Sequence, residues 1–227
     1  MNCRTILKLL SCVIIILSIL FVSCTDDFIK KGNSCLNLGD YLLAESFYEK
    51  ALLNNPLSFE ARLGMGKALL QHIVDNSSDT GLWKKALLNL EAAKNLHPSE
   101  DLSELVSEAW YERSQMMLSA EDTVGALNAL SRSIEINNKN ITAINSTGIL
   151  YFRRGDVDKA EVLFRKAIRI DSLHAPAHFN LGMVIWSKHD YREARNYWLA
   201  ASKLTPDDND MVYWLAIAEK KILESAQ

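Results

Sequence analysis

The residues best suited to catalytic or metal chemistry are five histidines, and their spacing decides what they can do. His174 and His178 are four residues apart, so on a helix they would share one face and could in principle hold a metal together. Zinc sites in proteins use three or four protein ligands, and the sequence places no third ligand near this pair. We therefore predict structural roles for both residues and no metal site. The five positions are His72, His97, His174, His178 and His189.

Motifs that mark catalysis or cofactor binding are absent from the sequence. It contains no G-x-S-x-G, no Walker loop, no G-x-G-x-x-G and no C-x-x-C. Gly64 and Gly66 lie in a predicted helix, where small residues serve packing. The net charge of −3 is mildly acidic, whereas nucleic-acid binding needs a basic face. We expect a protein that is not an enzyme and that has no cofactor and no nucleic-acid partner.

Cys24 carries a chemical prediction of its own. Arg4 and Lys8 precede an apolar run over residues 9–22, which is typical of a signal peptide. The run is short for a membrane span, which needs about 20 residues. It ends in Phe21-Val22-Ser23-Cys24, which resembles the bacterial lipobox. That resemblance implies cleavage before Cys24 and acylation of its thiol, for example with palmitate. The alternative is an uncleaved N-terminal anchor.

The remaining cysteines and the residue after Cys24 extend this prediction. Cys3 and Cys12 would leave with the signal peptide, so Cys35 would be the one free thiol, and we predict that it fills a helix contact. In bacteria with two membranes, the residue after the lipidated cysteine helps to sort the protein. Thr25 occupies that place instead of aspartate and favours the outer membrane. We predict a lipid-anchored protein of the cell envelope, on the outer membrane and facing the periplasm.

A repeat organises the rest of the chain. Residues 141–206 contain one pattern twice, with every matched position displaced by 34 residues. A fixed period between 20 and 50 residues is the sequence signature of a repeat array. The small residues fit places where two helices approach closely, and the large ones fit gaps between hairpins. The matched pairs are Ala143 and Ala177, Gly148 and Gly182, Tyr151 and Ile185, Asp156 and Asp190, Ala160 and Ala194, Phe164 and Trp198, and Ala167 and Ala201.

This pattern resembles the tetratricopeptide repeat (TPR) along the whole length of both copies. The resemblance implies an all-α fold, a right-handed α-solenoid of five helix hairpins closed by a C-terminal capping helix. Weaker copies of the same spacing precede the matched pair. The predicted segments are a signal peptide at 1–23, repeats at about 25–58, 59–100, 107–140, 141–174 and 175–208, and a capping helix at 209–227.

Three irregular features accompany the repeats. Repeat two has eight residues more than the period, around the polar stretch 75–81, where we predict a loop. Ser99 is predicted to cap an early start of the first helix of repeat three, making it about two turns longer than its neighbours. The closing helix is predicted to be amphipathic, as the end of a solenoid requires. Its predicted apolar positions are Met211, Val212, Leu215, Ala216 and Ile217.

The resemblance also implies a binding surface on the first helix of each hairpin. One well-known subclass of the family clamps a peptide carboxylate with cations, but Glu108 and Glu112 stand in two of those places here. We therefore expect no carboxylate clamp, and a wall that becomes aromatic toward the C-terminus. The alternative for Phe152 and Trp186 is packing between hairpins or beneath the cap. The predicted partner contacts are Tyr111, Phe152, Arg153, Phe179, Met183 and Trp186.

Together these features predict a membrane-anchored TPR scaffold in the bacterial cell envelope. It would bind an apolar helical or extended segment of a protein partner, with basic flanks, on the first-helix wall. The rival is a non-catalytic TPR shell that regulates or carries an envelope enzyme or ligand. A continuous apolar strip would favour the scaffold, and a polar pocket around a titratable group with a shifted pKa would favour the rival.

Overall fold

Antiparallel helices joined by short turns make up the part of the chain that the structure, a computed structural model, describes: residues 24–75 and 80–224. Those residues form helices and turns without a strand, which confirms the all-α fold class. The helices are α1 (residues 24–37), α2 (Tyr41–Asn54), α3 (Phe59–Asp75), α4 (Thr80–Leu96), α5 (Glu100–Ser119), α6 (Thr123–Ile136), α7 (Ile141–Arg153), α8 (Val157–Ile170), α9 (Ala175–Ser187), α10 (Tyr191–Leu204) and α11 (Asn209–Glu224). None of them is long and apolar enough to cross a membrane.

The chain divides into two compact units, with the boundary inside α5 between Ala109 and Trp110. The first contains two hairpins, α1–α2 and α3–α4. The second contains the end of α5 with α6, the hairpins α7–α8 and α9–α10, and α11. The predicted signal peptide at 1–23 lies outside the described residues. Cys24 is exposed at the start of the described α1, and both Cys24 and Cys35 are free thiols.

Tyr48 of α2 is the central side chain of the first unit. It is fully buried, and its ring lies against Gly32 of α1 and Gly64 of α3, where a Cβ atom would collide with it. Its hydroxyl donates a hydrogen bond to Asn33 Oδ1 at 2.7 Å. Burial, aided by the Cys35 thiol, raises the pKa of Tyr48 to about 12. The glycines therefore serve packing in α1 and α3, as predicted for Gly64.

A recurring turn joins the two helices of a hairpin. The residue just before the aspartate of this turn has positive φ, which glycine adopts freely and other residues adopt at a cost. Gly39 and Gly155 occupy this place with φ of +78° and +84°, and Glu121 and His189 occupy it with +61° and +66°. An aspartate follows in each turn and precedes the second helix. Three of these, Asp40, Asp122 and Asp190, accept a backbone N–H three residues on and so cap that helix.

The 34-residue displacement of the sequence pattern is also the displacement of the helices. α7 begins at Ile141 and α9 at Ala175, while α8 begins at Val157 and α10 at Tyr191. Within each hairpin a large second-helix side chain packs against a glycine of the first helix: Phe164 against Gly148, and Trp198 against Gly182. Because the glycine and the large side chain recur together, the two hairpins bury the same kind of contact.

Two helices differ from their neighbours in length. α5 has 20 residues against 13 in α7 and in α9, so it is about two turns longer, as predicted. The Ser99 hydroxyl accepts the N–H of Leu102 at 3.2 Å, which confirms the predicted cap. The loop predicted over 75–81 is wrong at its edges, because α3 continues through Asp75 and α4 begins at Thr80. Residues 76–79 lie outside the described residues.

α11 packs against α10 on a face that includes the predicted Leu215 but not the predicted Val212 and Ala216. Trp214, Leu215 and Ala218 contact the core of the second unit, whereas Val212 and Ala216 are exposed. The assignment of Val212 and Ala216 to the packed face was therefore wrong. The Trp214 ring lies 5.3 Å from the Trp198 ring, measured between centroids, and this aromatic contact fixes the rotation of the helix.

Candidate partner-binding surface

Four of the six predicted contact residues lie around one buried cluster of the second unit. Phe152 of α7 and Phe179, Met183 and Trp186 of α9 are half-buried, and all four pack against a core that contains Trp198. Each keeps part of its side chain accessible to solvent. The structure thus assembles most of the predicted set, from two helices that are separate in sequence.

The other two predicted residues lie apart from that cluster. Tyr111 of α5 is half-buried and packs against a second cluster that includes Leu130 and Leu150. Arg153 is the last residue of α7 and is exposed. Tyr111 is not among the hydrophobic residues that pack against the cluster of the other four.

α7 and α9 present corresponding faces that lie side by side. Phe179, Met183 and Trp186 are spaced by four and three residues, which places them on one side of α9. The equivalent positions of α7 are Asn145, Ile149 and Phe152. The Asn180 side-chain amide donates to Asn145 Oδ1 at 3.0 Å and joins the two helices on this side. We call these seven residues, Asn145, Ile149, Phe152, Phe179, Asn180, Met183 and Trp186, the first-helix face.

The ring of Trp186 packs against three other aromatic rings of the second unit. Its ring centroid lies 4.6 Å from that of Tyr191, 5.5 Å from that of Trp198 and 6.4 Å from that of Trp214 in α11. The alternative interpretation, in which Trp186 packs beneath the capping helix, therefore applies to its ring. The accessible part of the side chain still belongs to the first-helix face, so a role in structure and a role in binding are compatible for this residue.

Charged side chains link the end of α9 to α8, and α8 to α10. Lys188 Nζ, just after α9, lies 2.6 Å from Asp158 Oδ1 and 2.7 Å from Glu161 Oε2. Arg165 donates to Glu161 Oε1 at 2.7 Å and to the Tyr197 hydroxyl at 2.8 Å. The hydrogen bond from Lys188, supported by Arg165, holds the pKa of Glu161 below its usual range. The ion pairs of Lys188 thus tie the end of α9 next to Trp186 to α8, and Arg165 ties α8 to α10.

A cavity of about 210 Å³ opens at the start of α9, beside the first-helix face. It lies between the N-terminus of α9, the end of α10 and the beginning of α11. Its lining residues are Ala175, Pro176, Phe179, Asn180, Thr205, Asp208 and Asp210. The sequence predicted Phe179 as a contact residue and gave no signal for Asp208 and Asp210, which lie about 30 positions further along the chain.

The histidine pair has local structural contacts. His174 caps α9, since its Nδ1 accepts the Ala177 N–H at 3.1 Å, and burial lowers its pKa. His178 Nε2 lies 2.9 Å from the Ser172 carbonyl oxygen and donates to it. Across residues 24–75 and 80–224, no three His, Cys, Asp or Glu side chains are grouped as a metal site would require.

Comparison with known proteins gives the same fold. The sequence pattern of the tetratricopeptide repeat family matches residues 29–73 and 179–219, and the second segment includes the α9 part of the first-helix face. No curated protein matches the chain. A crystal structure of MamA protein resembles 80% of this chain and 91% of its own chain, with 25% identity and a TM-score of 0.53.

Two further solved structures resemble most of the chain. YrrB, described as a TPR protein with an unusual peptide-binding site, is 21% identical, covers 88% of this chain and 97% of its own, and has a TM-score of 0.55. A tetratricopeptide repeat protein from Parabacteroides merdae ATCC 43184 is 18% identical, covers 90% of this chain and 75% of its own, and has a TM-score of 0.55. At these identities the similarity establishes the architecture of the helices.

Proposed function

Because this chain is a tetratricopeptide repeat protein, we propose that it is a scaffold that binds a protein partner on the first-helix face of α7 and α9. The tetratricopeptide repeat fold is typical of scaffolds for protein–protein interaction. The observation that carries the finer proposal is the partly exposed apolar strip formed by Ile149, Phe152, Phe179, Met183 and Trp186. Exposed aromatic residues and methionine are typical anchors at the centre of interfaces.

The shape and chemistry of this strip favour an apolar helix or extended segment as the occupant. Two parallel rows of half-buried side chains, one on α7 and one on α9, offer a shallow apolar track. Grooves of this kind bind amphipathic segments through anchors on one side. The resemblance of YrrB, whose description names a peptide-binding site, is consistent with such a partner. Glu112 on the part of α5 that belongs to the same unit is exposed and disfavours a free carboxylate.

The strip also favours a scaffold over a carrier of small ligands. The cavity beside it measures about 210 Å³, whereas sites that enclose a drug-sized ligand are roughly 300–1,000 Å³. A continuous apolar strip was the feature expected to favour the scaffold. This cavity is therefore too small to support the rival proposal of a shell that carries a drug-sized ligand.

Site-specific photocrosslinking in cells tests the binding face. A photoreactive residue at position 183 is expected to form a crosslink to one protein, because Met183 is half-buried at the middle of the strip. Val162 of α8, which is 68% exposed, is the matched control outside the strip and is expected to form none. Met183→Glu is expected to abolish a crosslink placed at position 149, since a charge would be buried in the interface. Crosslinks of equal yield from 162 and 183 would contradict the proposal.

The membrane attachment of this scaffold is the second part of the proposal. Cys24 is exposed where the described chain begins, directly at α1, so a lipid on its thiol would hold the first hairpin close to the bilayer. We place the protein in the bacterial cell envelope, on the outer membrane and facing the periplasm, on the strength of the lipobox-like end and Thr25. The scaffold would then tether its partner to that membrane.

Metabolic labelling with a fatty-acid analogue tests the anchor. Labelling is expected for the unmodified chain and to be lost in Cys24→Ala, because the acylated thiol is removed. Cys35→Ala is the matched control, since Cys35 is also a free thiol but half-buried in α1, and its labelling is expected to be unchanged. Equal labelling of the Cys24→Ala variant and the unmodified chain would show that the lipid is not on this residue.

A further inference from the structure

The cavity at the start of α9 has a composition that selects its ligand. Its apolar wall is made of Ala175, Pro176 and the Phe179 ring, and its polar wall of Asn180, Thr205, Asp208 and Asp210. Phe179 and Asn180 also belong to the first-helix face, so a segment bound on that face passes the mouth of the cavity. Its occupant would be a side chain of the same segment.

The polar groups of the cavity offer acceptors to a ligand. The Asn180 amide nitrogen already donates to Asn145, which leaves the Asn180 carbonyl oxygen to accept. The Thr205 hydroxyl donates to the Ala201 carbonyl, which leaves the lone pairs of the hydroxyl oxygen. Asp208 accepts the Asp210 N–H at 3.0 Å through one oxygen, and this bond fixes its carboxylate at the start of α11. The described residues lining the cavity include no lysine, arginine or histidine.

The charge balance at the cavity favours a cation. The N-termini of α9 and α11 each contribute roughly half a positive charge, and the C-terminus of α10 roughly half a negative one. Asp208 and Asp210 contribute two full negative charges and outweigh the helix ends. An anion would therefore be repelled here, although helix N-termini alone attract anions.

We propose that this cavity binds an arginine side chain of the partner segment on the first-helix face. A planar guanidinium can stack on the Phe179 ring while its N–H groups, arranged in a fork, donate to Asp208 and Asp210. Lysine offers a more strongly hydrated point charge without the planar surface, so it fits the aromatic wall less well. The cavity volume of about 210 Å³ suits one side chain. This inference rests on the proposed function, because it assigns one residue of the proposed partner.

Binding of a minimal probe tests the assignment. N-acetyl-arginine amide is titrated into the full chain in detergent micelles and followed by backbone amide NMR shifts. Shifts are expected at the non-proline residues of 175–180 and 205–210, with a dissociation constant on the order of 1 mM for so small a ligand. The same amide of citrulline, a neutral analogue of nearly the same shape, is expected to bind about tenfold more weakly or not at all, and the lysine amide more weakly than the arginine amide.

Matched variants separate the carboxylates from general acidity. Asp208→Asn with Asp210→Asn is expected to weaken binding of the arginine probe about tenfold or more, while the retained amide oxygen at 208 still accepts the backbone N–H. Asp207→Asn is the control, because Asp207 is exposed and is not a lining residue, and it is expected to leave binding unchanged. An equal loss of arginine-probe binding in the double variant and in Asp207→Asn would overturn the arginine assignment. So would a citrulline amide or a lysine amide that binds as tightly as the arginine amide.

The result is separable from the test of the binding face. The photocrosslink at position 183 does not require a cation in the cavity. A crosslink at 183 without binding of the arginine probe would overturn the cavity proposal and leave the scaffold proposal intact. Binding of the probe without any crosslink would support the preference for arginine and count against the first-helix face as a partner site.

Discussion

Replacing Trp198 with alanine is expected to lower the free energy of unfolding by about 3–5 kcal/mol, the range for removing a large aromatic side chain from a core. Trp198 is fully buried in α10, and its ring contacts those of Phe179, Trp186 and Trp214. Its Nε1–H donates to the Phe179 carbonyl oxygen at 3.1 Å. The substitution removes packing for both α9 and α11. Urea unfolding followed by far-ultraviolet circular dichroism measures the change.

The control for this loss is an aromatic residue on the outside of the same unit. Tyr213 of α11 is 61% exposed, and Tyr213→Ala is expected to cost less than about 1 kcal/mol. Trp198→Phe is expected to fall between the two, because it keeps an aromatic ring but loses the hydrogen bond and part of the volume. If Trp198→Ala were no more destabilising than Tyr213→Ala, the aromatic cluster would not be what holds α9, α10 and α11 together.

The hairpin architecture could be predicted from the sequence because local rules and packing agree. The displacement of 34 residues between Gly148 and Gly182 sets the helix period, and the same displacement appears in the structure. Positive φ could be predicted at Gly155, since glycine followed by aspartate is a strong turn signal. At Glu121 and His189 the residue type opposes positive φ, and only the repeat register indicated the turn.

The end of the second unit could be predicted less well, because its apolar residues do not select one face. α11 carries Val212, Trp214, Leu215 and Ile217 within six residues, so its sequence is compatible with several rotations about the helix axis. The ring contact between Trp214 and Trp198 selects the one that is observed and leaves Val212 exposed. The cavity next to it joins residues about 30 positions apart in sequence, so a search for local motifs could not find it.

Replacing Gly182 with alanine is expected to destabilise the second unit by about 2 kcal/mol, although the same change in an ordinary exposed helix stabilises by about 1 kcal/mol. A Cβ at position 182 would collide with the indole of Trp198, including its Nε1 and Cδ1 atoms. Trp198 cannot move aside easily, since it is fully buried and hydrogen-bonded to Phe179. The overpacking cost therefore exceeds the gain in helix propensity. Urea unfolding of the single variant measures the sign and size.

A double-mutant cycle identifies the cause of that loss. In a Trp198→Leu background the smaller side chain leaves room for the added methyl group, so Gly182→Ala is expected to be at least about 1 kcal/mol less costly there. Gly155→Ala is the control for backbone strain, because nothing lies within 4 Å of its Cβ position but its φ is +84°. Its cost is expected to be independent of residue 198. An equal cost of Gly182→Ala in both backgrounds would mean that the close approach of α9 and α10 is not set by the glycine–tryptophan contact.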